Sequence, residues 1–231
     1  MSRENPLWGA PRIHGELLKL RIKVSEATVS KYMSHPPKPP SQTWRTFLLN
    51  HANCMASMDF FVLPTATLRV LFVFIVLHHE RRRIVHFGVT AQPTAAWVAQ
   101  QITEAFPWDT APRYVIRDRD SVYGAMTRAR LKVMDIEEVV TAPRAPWQNP
   151  FAERVIGSNR RECLDHVIIF NETHLRRILA SYVIYYHGSR THLSLSKDSP
   201  VPRPVQPGGA GKVVAFPLVG GLHHRYQRLA A

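Results

Sequence analysis

The rhythm of apolar positions changes twice along the chain. In residues 11–34, Ile13, Leu17 and Leu20 recur at helical spacing. Ser25 can then N-cap a second short helix whose apolar side is Val29 with Tyr32 or Met33. The turn around 21–24 gives a helix-turn-helix unit or an ordinary helical hairpin, and spacing alone does not choose between them. His-Pro-Pro-Lys-Pro-Pro-Ser at 35–41 cannot continue a helix, because four prolines remove N–H donors and fix φ. It reads as a linker.

Beyond it, runs rich in Val, Ile and Phe cover 54–62, 68–78 and Arg83–Thr90. Their connections are short, which predicts three consecutive antiparallel strands. Residues 97–106 and 126–135 have helical patterns, while 113–117 and 136–141 read as short strands. Two further helices are expected at about 149–165 and 171–186. Strands first, then alternating helix and strand, then helices: this predicts an α/β fold, a mixed sheet with helices on both faces. The Pro/Gly-rich stretch from Pro200 on is expected to be extended. The division expected is a helical segment and linker at 1–40, a core at 41–199 and a basic tail at 200–231.

Charge narrows the partner. Of 231 residues, 30 are Lys or Arg and 17 Asp or Glu, a net charge of +13, and such an excess calls for a polyanion. Cys54 and Cys163 are too far apart in sequence for a zinc knuckle and imply no disulfide framework. The N-terminus lacks the apolar core of a signal peptide, and the apolar run at 70–77 is too short to span a bilayer. The expectation is a cytoplasmic protein whose partner is nucleic acid rather than a membrane.

Three carboxylates stand out against this background. Asp59 interrupts Ala-Ser-Met-Asp-Phe-Phe-Val, otherwise suited to a central strand, and a carboxylate buried there costs several kcal/mol, to order of magnitude, unless it is paired or binds metal. Asp118 directly follows the strand Tyr-Val-Ile-Arg, where side chains can converge on a site, although a turn Asp would also fit. Glu153 falls in the first turn of a helix with Asn149 as expected N-cap and Pro150 at its first position. Gly157 and Arg160 share its face, with Arg161 close by, a pattern suited to metal ligation beside a phosphate backbone.

In this order the residues resemble the integrase core of DDE transposases of bacterial insertion sequences and of retroviral-type integrases. Asp59 matches the Asp of the first strand, and Asp118-Arg119-Asp120-Ser121-Val122-Tyr123 resembles the family's Asp-x-Gly-Ser-x-Tyr turn. Glu153 stands 35 positions after Asp118 and four after Asn149, as the family's Glu does. Tyr185-Tyr186-His187-Gly188-Ser189-Arg190-Thr191-His192 resembles the stretch that closes such cores, and Trp8-Gly9-Ala10-Pro11-Arg12-Ile13-His14 the second half of their DNA-binding region.

The resemblance implies an RNase H-like fold, with Asp59, Asp118 and Glu153 as catalytic residues and metal ligands for two Mg²⁺ or Mn²⁺ ions. It implies 3′-end nicking and strand transfer of a mobile element into target DNA by a homo-oligomer, with Arg160 and Arg161 on phosphate. One departure is Asp120, where the family has Gly; it is expected to fill a turn position with unusual backbone angles. His78-His79 and His223-His224 lack cysteine partners at zinc spacing and are expected to face solvent or DNA. Two other readings stay open: a catalytically silent transposase relic or DNA-binding regulator, and a nuclease that cuts without joining.

Overall fold

The computed structural model describes residues 1, 2, 4, 5, 8–33 and 43–230, so the proline-rich stretch at 35–41 lies outside the described residues. The chain divides into two compact units, Met1–Thr43 and Trp44–Ala231.

In the first unit, α1 (Ala10–Lys19) and α2 (Glu26–Tyr32) are joined by a turn in which Arg21 takes a left-handed φ of 61°. That conformation lets Ile22 N–H reach back to the Leu17 carbonyl at 2.9 Å, closing the end of α1. The Ser25 hydroxyl accepts from Thr28 N–H at 3.1 Å and starts α2, as its position predicted. Ile13 and Val29 are buried, one from each helix.

The second unit begins with a helix that the apolar pattern did not announce, α3 (Trp44–Asn50). Its Trp44 and Phe47 stack, and Phe47 meets Tyr114 edge to face, with Leu48 buried beside them. Three antiparallel strands follow, β1 (Met55–Pro64), β2 (Val70–His78) and β3 (Arg83–Thr90). After α4 (Ala95–Ala105) comes β4 (Tyr114–Arg117), then α5 (Ala125–Val133) and β5 (Glu137–Val140). The sheet order is β3-β2-β1-β4-β5, with β4 parallel to both neighbours. Helices α6 (Pro150–Glu162) and α7 (Glu172–Gly188) complete the core.

Alternation along the strands assigns the two faces. Ala56, Met58, Phe74 and Val76 pack with Val98 and Ile102 of α4 and Leu131 of α5. Phe61, Leu63, Leu71 and Val73 pack with Leu175 and Leu179 of α7, and Ile75 and Leu77 with Val155 of α6 and Tyr182. Where α4 packs on β3, the side chains of Gln101 and Trp97 lie so close over Gly88 that a Cβ there would collide with them.

The tail is not extended. Lys212–Leu218 (β6) and His223–Leu229 (β7) form an antiparallel hairpin. Its turn runs through three left-handed residues, Val219, Gly220 and Gly221, so these glycines close a hairpin rather than punctuating a loose end. Buried Val219 anchors it beside Tyr182 and Tyr186, and His223 stacks on Tyr185 at 4.2 Å while bonding the Glu162 carbonyl at 2.8 Å. His79 is likewise buried, held by the Ser57 hydroxyl and packed on Phe151 at 4.4 Å. Burial pushes its imidazole down to about 3, with His78 and Arg82 adding to the effect. His79 is therefore not the solvent-facing residue expected, and His223 is half-buried, held by one aromatic and one polar partner.

The C-terminal end of α6 is fastened to α7 by an ion pair. Arg190 donates to both oxygens of Glu162 at 2.6–3.1 Å, and the Tyr182 hydroxyl donates to the same carboxylate at 3.2 Å. Burial opposes ionisation of Glu162, but the Arg190 bonds and charge prevail and hold its carboxyl below the ordinary range. Arg190→Ala leaves this carboxylate partly buried and short of donors. The expected cost is about 2 kcal/mol of stability, read as a fall of several degrees in Tm, whereas Thr191→Ala, at an exposed position, leaves Tm within a degree or so.

Candidate active site

The parallel register of β1 and β4 determines where the two aspartates meet. Met55, Ala56 and Ser57 pair with Tyr114, Val115 and Ile116. Carried two residues further, the same register sets Asp59 opposite Asp118, after the pairing has ended and the strands have parted. A cleft of about 330 Å³ opens there, lined by Asp59, Asp118, Arg119, Asp120, the loop residues 141–145, Asn149 and Glu153. A larger open hollow of about 690 Å³, lined by Phe60, Phe61, Val62, Ser121, Val122 and Arg160 among others, shares Asp120 with it.

Glu153 reaches the cleft because α6 begins there. Asn149 stands at the N-cap position, but its side chain does not cap the helix. It is buried, and its Nδ2 donates 3.2 Å to the carbonyl of Met58, the residue before Asp59. Beyond Ser57 the β1 edge toward β4 has lost its strand partner, and a side chain from α6 supplies the missing donor. Arg160 does the same further along, donating to the Val62 carbonyl at 2.9 Å while lying over the Phe61 ring. Arg161 folds back over Gly157, where a Cβ would come within 3.1 Å of its guanidinium. Neither arginine lines the carboxylate cleft.

Asp59 is the most perturbed of the four acids. Burial raises its carboxyl, the Phe60 N–H bond at 2.8 Å works against that, and the negative charges of Asp118, Glu153 and Asp120 raise it again, to about 7. All the titratable groups lining the cleft besides its two arginines are carboxyls, so its donors are oxygens, with no imidazole or thiol among them. An all-oxygen anionic set is what hard divalent cations take. Asn149 adds a buried carbonyl oxygen with no hydrogen-bond partner. Among the described residues, no three His, Cys, Asp or Glu side chains are gathered tightly enough to enclose an ion. The like charges face a shared cleft without closing on its centre.

Asp120 behaves differently from its expectation. Its φ is not left-handed. Its carboxylate instead accepts from Val122 N–H at 3.0 Å, and its own N–H donates to Asp118 at 3.1 Å. Side-chain turn chemistry explains an Asp here, not tolerance of odd backbone angles.

Known proteins share this architecture. The model of the integrase core domain family matches residues 134–200. The simian T-cell lymphotropic virus intasome, solved with the PP2A regulatory subunit B56 gamma, contains a chain similar at a TM-score of 0.55 and 10% identity, over 94% of this chain and 86% of its own. The Mos1 mariner transposase catalytic domain is similar at 0.52 and 11%, over 66% and 85%. The HTLV-2 integrase catalytic core in complex with magnesium, in its trimeric form, is similar at 0.50 and 8%, over 64% and 93%. No curated protein matches the sequence. The fold is thus the RNase H-like fold of integrase and transposase catalytic cores. The segment that matches the integrase core domain model includes Glu153, consistent with the resemblance to DDE integrases and transposases. Among the described residues no helix is long and apolar enough to cross a membrane.

The raised pKa of Asp59 has a definite consequence for stability. Unfolded, the carboxyl ionises near the ordinary Asp value, 3.8; folded, it does so near 7. Stability is therefore lost as pH rises from about 4 through 7. Without divalent ions, Asp59→Asn should raise Tm at pH 8 by several degrees and leave it nearly unchanged at pH 4. A variant equally stabilised at both pH values removes the assignment.

Proposed function

We propose that this protein is a DNA transposase or integrase that nicks the 3′ end of a mobile element and transfers it into target DNA. The observation that supports this best is the placement of Asp59 and Asp118 in one cleft just past the end of the β1–β4 pairing, with Glu153 delivered to the same cleft by α6. In this reading Asp59, Asp118 and Glu153 hold the metal. Two divalent ions, Mg²⁺ or Mn²⁺, would supply activation of the attacking oxygen and stabilisation of the leaving one.

In the first step a water oxygen bonds to the phosphorus at the element's end while the P–O3′ bond breaks, releasing a 3′-OH. In the second that 3′-OH attacks a target phosphodiester, and the displaced target 3′ oxygen leaves with a proton. The chain's own contribution is orientation. The carboxylates would hold the divalent ions that bind the reacting phosphate, and Asn149 keeps Glu153 in register with Asp59. Contacts mainly to phosphate leave base identity at the target nearly free.

Residues 41–199 would carry out this chemistry, 1–40 would read the element's end, and 200–231 would add basic surface. The net charge of +13 favours a polyanion as substrate; in this reading it is double-stranded DNA in the cytoplasm, and a homo-oligomer would hold the two element ends together. Asp118→Asn and Glu153→Gln should each lower Mg²⁺-dependent nicking and joining of labelled ends at least a hundredfold while DNA binding persists. Asp120→Ala should lose about 1 kcal/mol of stability and keep most activity. Unchanged joining in the first two variants would overturn the reading. A wild type that cuts but never joins would instead be a nuclease, and one that binds without cutting a regulator or silent relic.

Arg160 and Arg161 carry the proposed phosphate contacts, and the structure separates their tests. Arg160 also ties α6 to β1, whereas Arg161 has no carboxylate partner among the described residues. Arg161→Ala should reduce the slope of log affinity against log salt by about 1 with no change in Tm. An unchanged slope would leave Arg161 without a DNA contact.

A further inference from the structure

The turn from β2 to β3 reaches the first turn of α6. In it Arg82 takes a left-handed φ of 57°, and its own N–H donates to the His79 carbonyl at 3.3 Å. Its guanidinium lies over the Phe151 ring, 4.9 Å from the centroid. Arg154 follows Phe151 by three positions on α6, which puts it on the same flank of the helix. Burial and then the charge of Arg154 hold the Arg82 guanidinium below its ordinary range.

Neither arginine has an acid. Arg81 is paired with Asp198 and Arg190 with Glu162, but among the described residues no carboxylate pairs with Arg82 or Arg154. The Phe151 face attracts one guanidinium and offers no acceptor for its N–H groups. Arg154 is exposed and Arg82 half-buried, so both forks are open to a ligand. Two like charges gathered without an acceptor repel each other. An anion would relieve both deficits, and planar N–H forks fit the paired oxygens of a phosphate.

The strand β1 relates this pair to the carboxylate cleft. Phe151 packs beside Met55 at one end of β1, Asp59 lies further along, and Arg160 bonds the Val62 carbonyl beyond it. Arg82 and Arg154 thus stand on the side of Asp59 away from Arg160. Met55 and Asp59 are roughly 13 Å apart along an extended strand, a length that about four nucleotides of a DNA strand cover. A strand held at the cleft would bring phosphates to this flank, whereas an acidic protein segment has no such tie to it.

We infer that Arg82 and Arg154 clamp one backbone phosphate of the DNA strand that lies across the cleft. The inference rests on the proposed DNA-joining function and adds to it a phosphate contact outside the cleft.

The test measures binding of the full chain to a random-sequence duplex of about 30 base pairs, in EDTA so that nothing is cut, over a series of salt concentrations. Arg154→Ala should weaken binding about tenfold at low salt, the order of one charge-assisted contact, without lowering Tm. Arg82→Gln should weaken it comparably. The double variant should lose about 1 from the slope of log affinity against log salt, the counterion release of one phosphate. A loss near 2 would put the arginines on separate phosphates and overturn the clamp. An unchanged slope would overturn the DNA contact. In that case inorganic phosphate that raises Tm of wild type but not of Arg154→Ala would assign the pair to a free anion, and polyglutamate with the same effect to an acidic protein segment. Wild type that nicks and joins while the variants keep its slope would sink the clamp alone. The expected slope loss in a chain without metal-dependent chemistry would sink the proposed function and leave the clamp standing.

Discussion

The hydrogen bond from Asn149 to the Met58 carbonyl is the contact on which the site depends. β4 accompanies β1 for only three residues, and past that point β1 would present bare carbonyls to the protein interior. Buried backbone acceptors must be satisfied. The structure meets that demand with side chains from α6 and not with another strand residue. Because the donors belong to α6, the helix is fixed in register against β1, and Glu153, one turn from Asn149, is fixed with it. A strand partner at the same place would satisfy the carbonyls equally well and would also fill the cleft. The early end of the β1–β4 ladder and the existence of the site are therefore one fact.

The same reasoning explains the motif around Arg190. Arg190 contacts Glu162, Ser158 and His192, His192 packs against Tyr186 at 4.8 Å, and His187 accepts a hydrogen bond from Ile84 N–H at 3.0 Å. Burial, with Arg83 adding to it, lowers the His187 imidazole to about 4, so it stays neutral and able to accept. These residues lie at the other end of α6 from Glu153 and hold that end in place. Their work is mechanical.

Much of the fold could be read from the sequence because it rests on periodicity. The strands at 68–78 and 83–90 and the helices that begin at Pro150 and Glu172 follow from alternation, from Pro150 at a first helical position and from Asn171, whose side chain caps α7. α3 was missed because seven residues give barely two turns of evidence, and its burial is decided by a distant Tyr114. The tail hairpin was missed because Pro and Gly read as breakers, while the contacts that order it come from α6 and α7. Asp59 was legible as a carboxylate out of place in a strand. The work of Asn149 was not: N-cap preference predicts a side chain turned onto its own helix, and a bare carbonyl across the fold is invisible to local sequence. The burial of His79 escaped for the same reason.

The cleft also stands in tension with the rest of the surface. The chain as a whole is strongly basic, yet the cleft gathers four carboxyls, one of them held near half-protonation at neutral pH by burial and by the other three. On the proposed function, basic surface would draw a phosphate backbone in, and the cleft would repel the phosphate that has to enter it. Both conditions are met only if the negative charge of the cleft is neutralised as DNA arrives. A proton can do this at Asp59, whose ionisation is suppressed by burial and by the neighbouring carboxyls. The remaining charge requires positive groups at the cleft itself, and Arg119 and Arg144 are the two side chains the fold places there. Two guanidinium groups against four carboxyls leave an excess of negative charge even with Asp59 protonated, so the protein's own side chains do not complete the balance. In the proposed reading, cations brought from solution would complete that balance at a site whose acids offer only oxygen donors.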